Sequence, residues 1–122
     1  AIPNFISMQY KAKRSEIPMN LKAIKTAEIA YEMEYDVFVP ATQWPPGEPG
    51  KQTTQWPAGN EGFDTLYFQP SGDVRGRYWV EVDRTNFTAY GISDVDGDGV
   101  YATYVTTKSE NPNSPITAPD VY

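Results

Sequence analysis

The 122-residue chain contains no histidine and no cysteine. Without histidine it lacks the usual general base at neutral pH, the Ser-His-Asp arrangement and the commonest zinc ligand. Without cysteine it has no disulfide, no thiolate nucleophile and no thiolate metal site. Basic residues are few, ten Lys and Arg against sixteen Asp and Glu, for a net charge of −6. That balance argues against a surface built to neutralise phosphates, so no nucleic-acid partner is expected. No apolar run approaches the roughly 20 residues that span a bilayer. There is no initiator Met either: the chain opens Ala1-Ile2-Pro3-Asn4-Phe5, and the expectation is that a segment upstream has been removed. No enzyme is expected. Asp64-Thr65 begins an aspartic-protease motif, but Leu66 stands where that motif needs Gly. The length fits one domain with a modest core, burying roughly 67% of the unfolded surface.

What is present falls into three parts. Residues 5 to about 38 carry a helical pattern: Ile17, Leu21, Ile24, Ala27, Tyr31, Tyr35 and Phe38 recur at three- and four-residue steps and form one stripe. Pro18 interrupts it, either as a kink or as the first turn of a second helix capped by Ser15. Residues 40–62, rich in Pro and Gly, read as a long surface loop in which Gln43-Trp44-Pro45 recurs as Gln55-Trp56-Pro57. Trp44 and Trp56 either fold back over the core and pin the loop or form a recognition surface for another chain. Phe63–Phe68 reads as a short turn or strand. Residues 76–83, 86–92 and 100–106 then alternate with a period of two, joined by short links, which predicts a three-stranded antiparallel meander. The fold class is therefore α+β, a long N-terminal helix (1–38) on a head (39–122) made of loop 39–62, sheet 63–107 and irregular tail 108–122.

The most specific chemical signal is Asp94-Val95-Asp96-Gly97-Asp98-Gly99. Carboxylates at alternate positions followed by Gly are the ligands of a calcium loop, so Asp94, Asp96 and Asp98 are candidate metal ligands. The match covers half a site, because the twelfth loop position, where a bidentate Glu belongs, is Val105. Asp-Gly is equally a leading hairpin-turn pair, and both readings stay open. Asn86-Phe87-Thr88 satisfies a glycosylation sequon, a triplet that arises often by chance.

Charge along the helix is segregated. Lys11, Lys13, Arg14, Lys22 and Lys25 face a single acid, Glu16, before Glu28, Glu32, Glu34 and Asp36 follow with no base. An isolated helix prefers the opposite polarity, and Glu28, Glu32 and Asp36 at four-residue spacing repel one another. The pattern is either a solvated face or a device for pairing with other helices. Copies staggered by about 23 Å would set basic stretches against acidic ones.

The first forty residues resemble type IV pilins and pseudopilins. Ala1-Ile2-Pro3-Asn4-Phe5 looks like the end of their hydrophobic helix, and Gln9-Tyr10-Lys11-Ala12-Lys13-Arg14-Ser15-Glu16 followed by Asn20-Leu21-Lys22-Ala23-Ile24-Lys25-Thr26-Ala27-Glu28 is similar to pilins of the deltaproteobacterial kind. The resemblance implies a structural subunit that polymerises with identical copies into a cell-surface filament for adhesion, twitching motility or DNA uptake. It implies an inner-membrane stage before assembly, through roughly 20 apolar residues upstream. Phe5, Ile6, Met8 and Ile17 become candidate filament contacts, and Pro3 and Pro18 candidate bend sites. Many pilins close the C-terminal region with a disulfide; here packing of Tyr104, Ile116 and Tyr122 or a cation at the Asp cluster would take that part. Two alternatives are the major pseudopilin of a type II secretion system, a periplasmic piston that often carries calcium, and an exported calcium-binding recognition module.

Overall fold

The computed structural model describes residues 2–112, with side chains from residue 8 onward. The helical third is two helices, α1 (Ile2–Arg14) and α2 (Glu16–Tyr35), separated by Ser15. Pro18, the third residue of α2, has no N–H to offer the Arg14 carbonyl, which breaks the helical ladder at this point. Backbone bonds run on around the gap, from Ser15 N–H to the Lys11 carbonyl (3.0 Å) and from Met19 N–H to the Ser15 carbonyl (3.4 Å). Pro18 therefore opens a second helix. Ser15 occupies the cap position without capping, because its hydroxyl turns back to the Ala12 carbonyl. Pro3 is the second residue of α1, a first-turn position where its missing N–H is no loss. Asp36 stops α2 in the left-handed conformation (φ 62°), its N–H returning to the Glu32 carbonyl.

The sheet has four antiparallel strands in sequence order: β1 (Ala41–Trp44), β2 (Arg77–Val82), β3 (Phe87–Ser93) and β4 (Ala102–Thr107). The expected meander is β2–β4. The fourth strand corrects the three-stranded expectation and lies inside the stretch read as loop. Its register is irregular, Ala41 opposite Val80 but Trp44 opposite Tyr78, so β1 carries an extra residue. Phe63–Phe68, expected as turn or strand, instead begins within a short helix, α3 (Glu61–Thr65). Asn60 caps it, its Oδ1 accepting the Phe63 N–H at 3.0 Å, while its Nδ2 donates to the Thr42 carbonyl at 3.1 Å. A side chain at Gly62 would overlap the Pro40 carbonyl, so glycine is what lets α3 close on β1.

One core joins helix and sheet. Ile17, Leu21 and Ile24 are fully buried on α2 and meet Tyr78, Val80, Phe87 and Ala89 of the strands. Ile17, Leu21 and Ile24 each contribute about 1.5–3 kcal/mol by leaving water. Gly91 permits the close approach, since a Cβ there would sit 2.6 Å from Ile17 Cγ2. A polar latch fixes the start of α2. The Glu16 carboxylate accepts the Arg75 and Gly76 N–H groups at 2.9 and 3.1 Å and the Tyr78 hydroxyl at 2.7 Å. After β4, the Glu110 carbonyl takes bonds from the Thr106 hydroxyl (2.6 Å) and Lys25 Nζ (2.9 Å), tying the segment that follows β4 to α2. Ile116 and Tyr122, expected to hold the tail, lie outside the described residues.

Candidate functional site

The rod of α1 and α2 divides into two parts with different surroundings. None of Met8–Arg14 is buried, and Met8 is 67% exposed. Met8 is thus open for contact with another chain, while the Phe5 and Ile6 side chains lie outside the described residues. Ile17 is not open: it fills the head's own core, because Gly91 and Gly76 leave it a slot against the sheet.

The charges read as one intermolecular set also separate. Lys11, Lys22, Glu34 and Asp36 are exposed, with Lys13 and Arg14 half-buried. Lys25 is engaged with the Glu110 carbonyl, and Glu32 meets Lys108 across 3.7 Å. Glu28 is the exception. It is 0% exposed, its Oε1 accepts the Val39 N–H at 2.8 Å, and its Oε2 is buried without a partner. Burial pushes its carboxyl up to about 7, with the Val39 bond pulling weakly the other way. Glu28 therefore belongs to the interior and cannot pair with another subunit. The signal was present, since Ile17, Leu21, Ile24 and position 28 continue one helical row.

On the other flank of α2 runs an open trough. One stretch, about 460 Å³, is bounded by Tyr31, Glu34, Tyr35 and Leu66. The next, about 450 Å³, is bounded by Asn20, Ala23, Phe68 and Pro70. Ala27, Ala30 and Tyr67 line both. Tyr67 is 95% exposed and held at φ 56°, a conformation uncommon for a tyrosine. Tyr31 and Tyr35 pack with centroids 4.4 Å apart and ring planes tilted by 37°. Neither sequence pattern nor composition marks this trough, because the loop after α3 builds its second wall.

The acidic loop joins β3 to β4. Asp94 is buried, its Oδ1 accepting the Asp98 N–H (3.1 Å) and its Oδ2 the Gly99 N–H (3.0 Å). Asp98 Oδ1 accepts the Val100 N–H at 2.9 Å. Gly97 and Gly99 take φ of 71° and 82°, which is what the turn requires of them. One carboxylate oxygen from each of Asp94, Asp96 and Asp98 lies within 4.8 Å of the others. Burial foremost raises Asp96, while the Val100 N–H foremost lowers Asp98, so the acids divide the charge unequally. Hard oxygens so gathered suit a divalent cation, yet Val105 is part of β4 and supplies no ligand, leaving half a calcium set. The loop is a hairpin connection in any case.

The two tryptophans differ. Trp56 is half-buried in an aromatic cluster, 5.4 Å from Phe63, 5.5 Å from Phe68 and 6.4 Å from Tyr78. Trp44 donates its indole N–H to the Pro57 carbonyl at 2.7 Å and lines a groove of about 640 Å³ between β1 and α3. Arg77, which the sequence reading passed over, pins the rest of the loop by donating to the Glu48 carbonyl (3.1 Å) and the Thr54 hydroxyl (3.2 Å). Its burial lowers its pKa, with the nearby Glu16 charge opposing. Among the described residues no helix is long and apolar enough to cross a membrane. Comparison of the chain with family models, with curated proteins and with solved structures finds no match.

Proposed function

We propose that the chain is the structural subunit of a type IV pilus, polymerising with identical copies through its N-terminal helix into a cell-surface filament that serves adhesion, twitching motility or DNA uptake. The observation that carries the reading is the unlike burial of α1 and α2. The second helix completes the head's own core, while Met8–Arg14 present no buried side chain. A rod held by the head along α2, with no buried side chain from Met8 to Arg14, is suited to burial among identical rods. Subunits on this reading pass through the inner membrane before assembly.

The coding sequence upstream of Ala1 tests this directly. A short basic leader, then Phe or Met, then an apolar stretch with a Glu near its start is the expected result. A start codon immediately before Ala1 overturns it.

The acidic loop favours a second reading within the same family, the major pseudopilin of a type II secretion system, working in the periplasm. On that reading Asp94, Asp96 and Asp98 hold calcium, which would offset their mutual repulsion and brace the β3–β4 link. Calorimetric titration with calcium, alongside melting with and without chelator, is expected to show heat and a higher Tm with the ion. No heat at millimolar calcium and an unchanged Tm dispose of the site. An exported recognition module acting through Trp44 and Trp56 is less well supported, because Trp56 packs against the core.

A further inference from the structure

From the trough beside α2 we infer that it is the seat for α1 of a second copy, docked parallel to α2 with its basic end at Glu34. The proposal rests on the filament reading for the presence of a second copy and adds where the two copies meet.

Three observations select this occupant. The first is charge: α1 carries Lys11, Lys13 and Arg14 and no acid, all at its C-terminal end. The trough is lined by no Lys or Arg and has Glu34 at one end, with exposed Asp36 and Asp64 close by in sequence there, while exposed Lys22 adjoins Ala23 toward the other end. The second is length. Thirteen residues of α1 measure about 20 Å, and the trough from Asn20 to Tyr35 about 23 Å. The third is connectivity, which excludes the molecule's own α1. A single residue, Ser15, separates the helices, and helical bonds persist on either side of it. Glu34 lies about 27 Å along α2 from Glu16, beyond what a folded-back α1 of about 20 Å can reach through one residue.

Orientation follows from the charges. Both the bases of α1 and the acid of the trough sit toward C-terminal helix ends, so pairing them requires parallel helices. With Lys11 and Lys13 on either side of Glu34, Met8 falls beside Ala30, where the small side chain admits a close approach. Tyr67 then covers the docked helix from the outer wall. The contact is heterologous, a tail entering another copy's flank, and such contacts propagate unless a rotation closes them into a ring.

Because the chain has no cysteine, engineered thiols report on the contact without background. Mixtures of Met8→Cys and Ala30→Cys chains, oxidised together, are expected to form the mixed disulfide about tenfold faster than Met8→Cys with the exposed sheet position Val82→Cys, since only neighbours within disulfide reach couple readily. Glu34→Lys in the Ala30→Cys chain should remove most of that advantage, and Lys11→Glu with Lys13→Glu in the partner should restore it. Equal rates for the two pairings, or a Glu34→Lys chain that couples as before, overturns the docking. Filaments from the chain with its upstream region but no Met8–Ala30 coupling sink the docking alone. Coupling in the 122-residue chain with a start codon found before Ala1 sinks the filament reading alone.

Discussion

The two helices are nearly one rod in sequence and have little in common in structure. On α2 the row Ile17, Leu21, Ile24 and Glu28 is fully buried against the sheet, whereas on α1 no side chain from Met8 to Arg14 is buried. The difference is not one of helix formation, since both segments are helical. It comes from what each helix is given to pack on. Gly76, Gly91 and the Glu16 latch bring the sheet up to α2, and they act from Glu16 onward. Helical sequence alone creates the rod, while tertiary contacts decide which part belongs to the head.

The largest expected effect tests that division. Leu21→Ala should destabilise the chain by about 2–5 kcal/mol through the cavity it leaves, and Met8→Ala should stay within about 0.5 kcal/mol. Urea unfolding of both variants measures it, and similar losses would erase the distinction between the helices. Next comes Glu28, the one acid on the buried row. Its carboxyl titrates near 7 when folded against 4.5 as the ordinary value. The folded state therefore holds its proton more tightly than the unfolded state, and stability falls as pH rises between those two values. The loss is about 3 kcal/mol, complete above the higher one. The difference in stability between the parent and Glu28→Gln, followed from pH 4 to pH 8, should carry this slope; a flat difference would place the carboxyl in water. The smallest effect concerns Trp44. Trp44→Phe keeps an aromatic ring and removes the bond to the Pro57 carbonyl, with an expected loss of about 1 kcal/mol in the same unfolding measurement. A loss as large as that of Leu21→Ala would mean the loop contributes to stability as strongly as α2.

How far these features could be read from the residues varies with how local their causes are. The alternation over β2, β3 and β4 is written in period, and those strands appear within two residues of where the pattern puts them. The stripe places Ile17, Leu21 and Ile24 correctly, but α2 ends at Tyr35, which is exposed, rather than near residue 38. The strand Ala41–Trp44 is four residues in Pro- and Gly-rich surroundings and exists because β2 offers it an edge, so no local pattern announces it. The helix Glu61–Thr65 has one local sign, Asn60 as a cap, but Gly62 in its second position hides it. Glu28 misleads by residue type. Its place in the row points inward while its charge points outward, and here the row prevails because Val39 supplies a bond and burial protonates the carboxyl near neutrality. The acidic loop was readable as a set of carboxylates, and the structure adds how they are held: Asp94 spends both oxygens on the turn's own N–H groups.

The short helix α3 has a further effect through Asn60. By giving its amide to the Thr42 carbonyl and setting Gly62 against Pro40, it occupies one backbone acceptor and makes one close approach along β1. That acceptor is thereby withdrawn from strand addition, the route by which sheets recruit strangers and begin to grow into amyloid. A strand arriving at β1 would have to displace Asn60 before it could take up the Thr42 carbonyl.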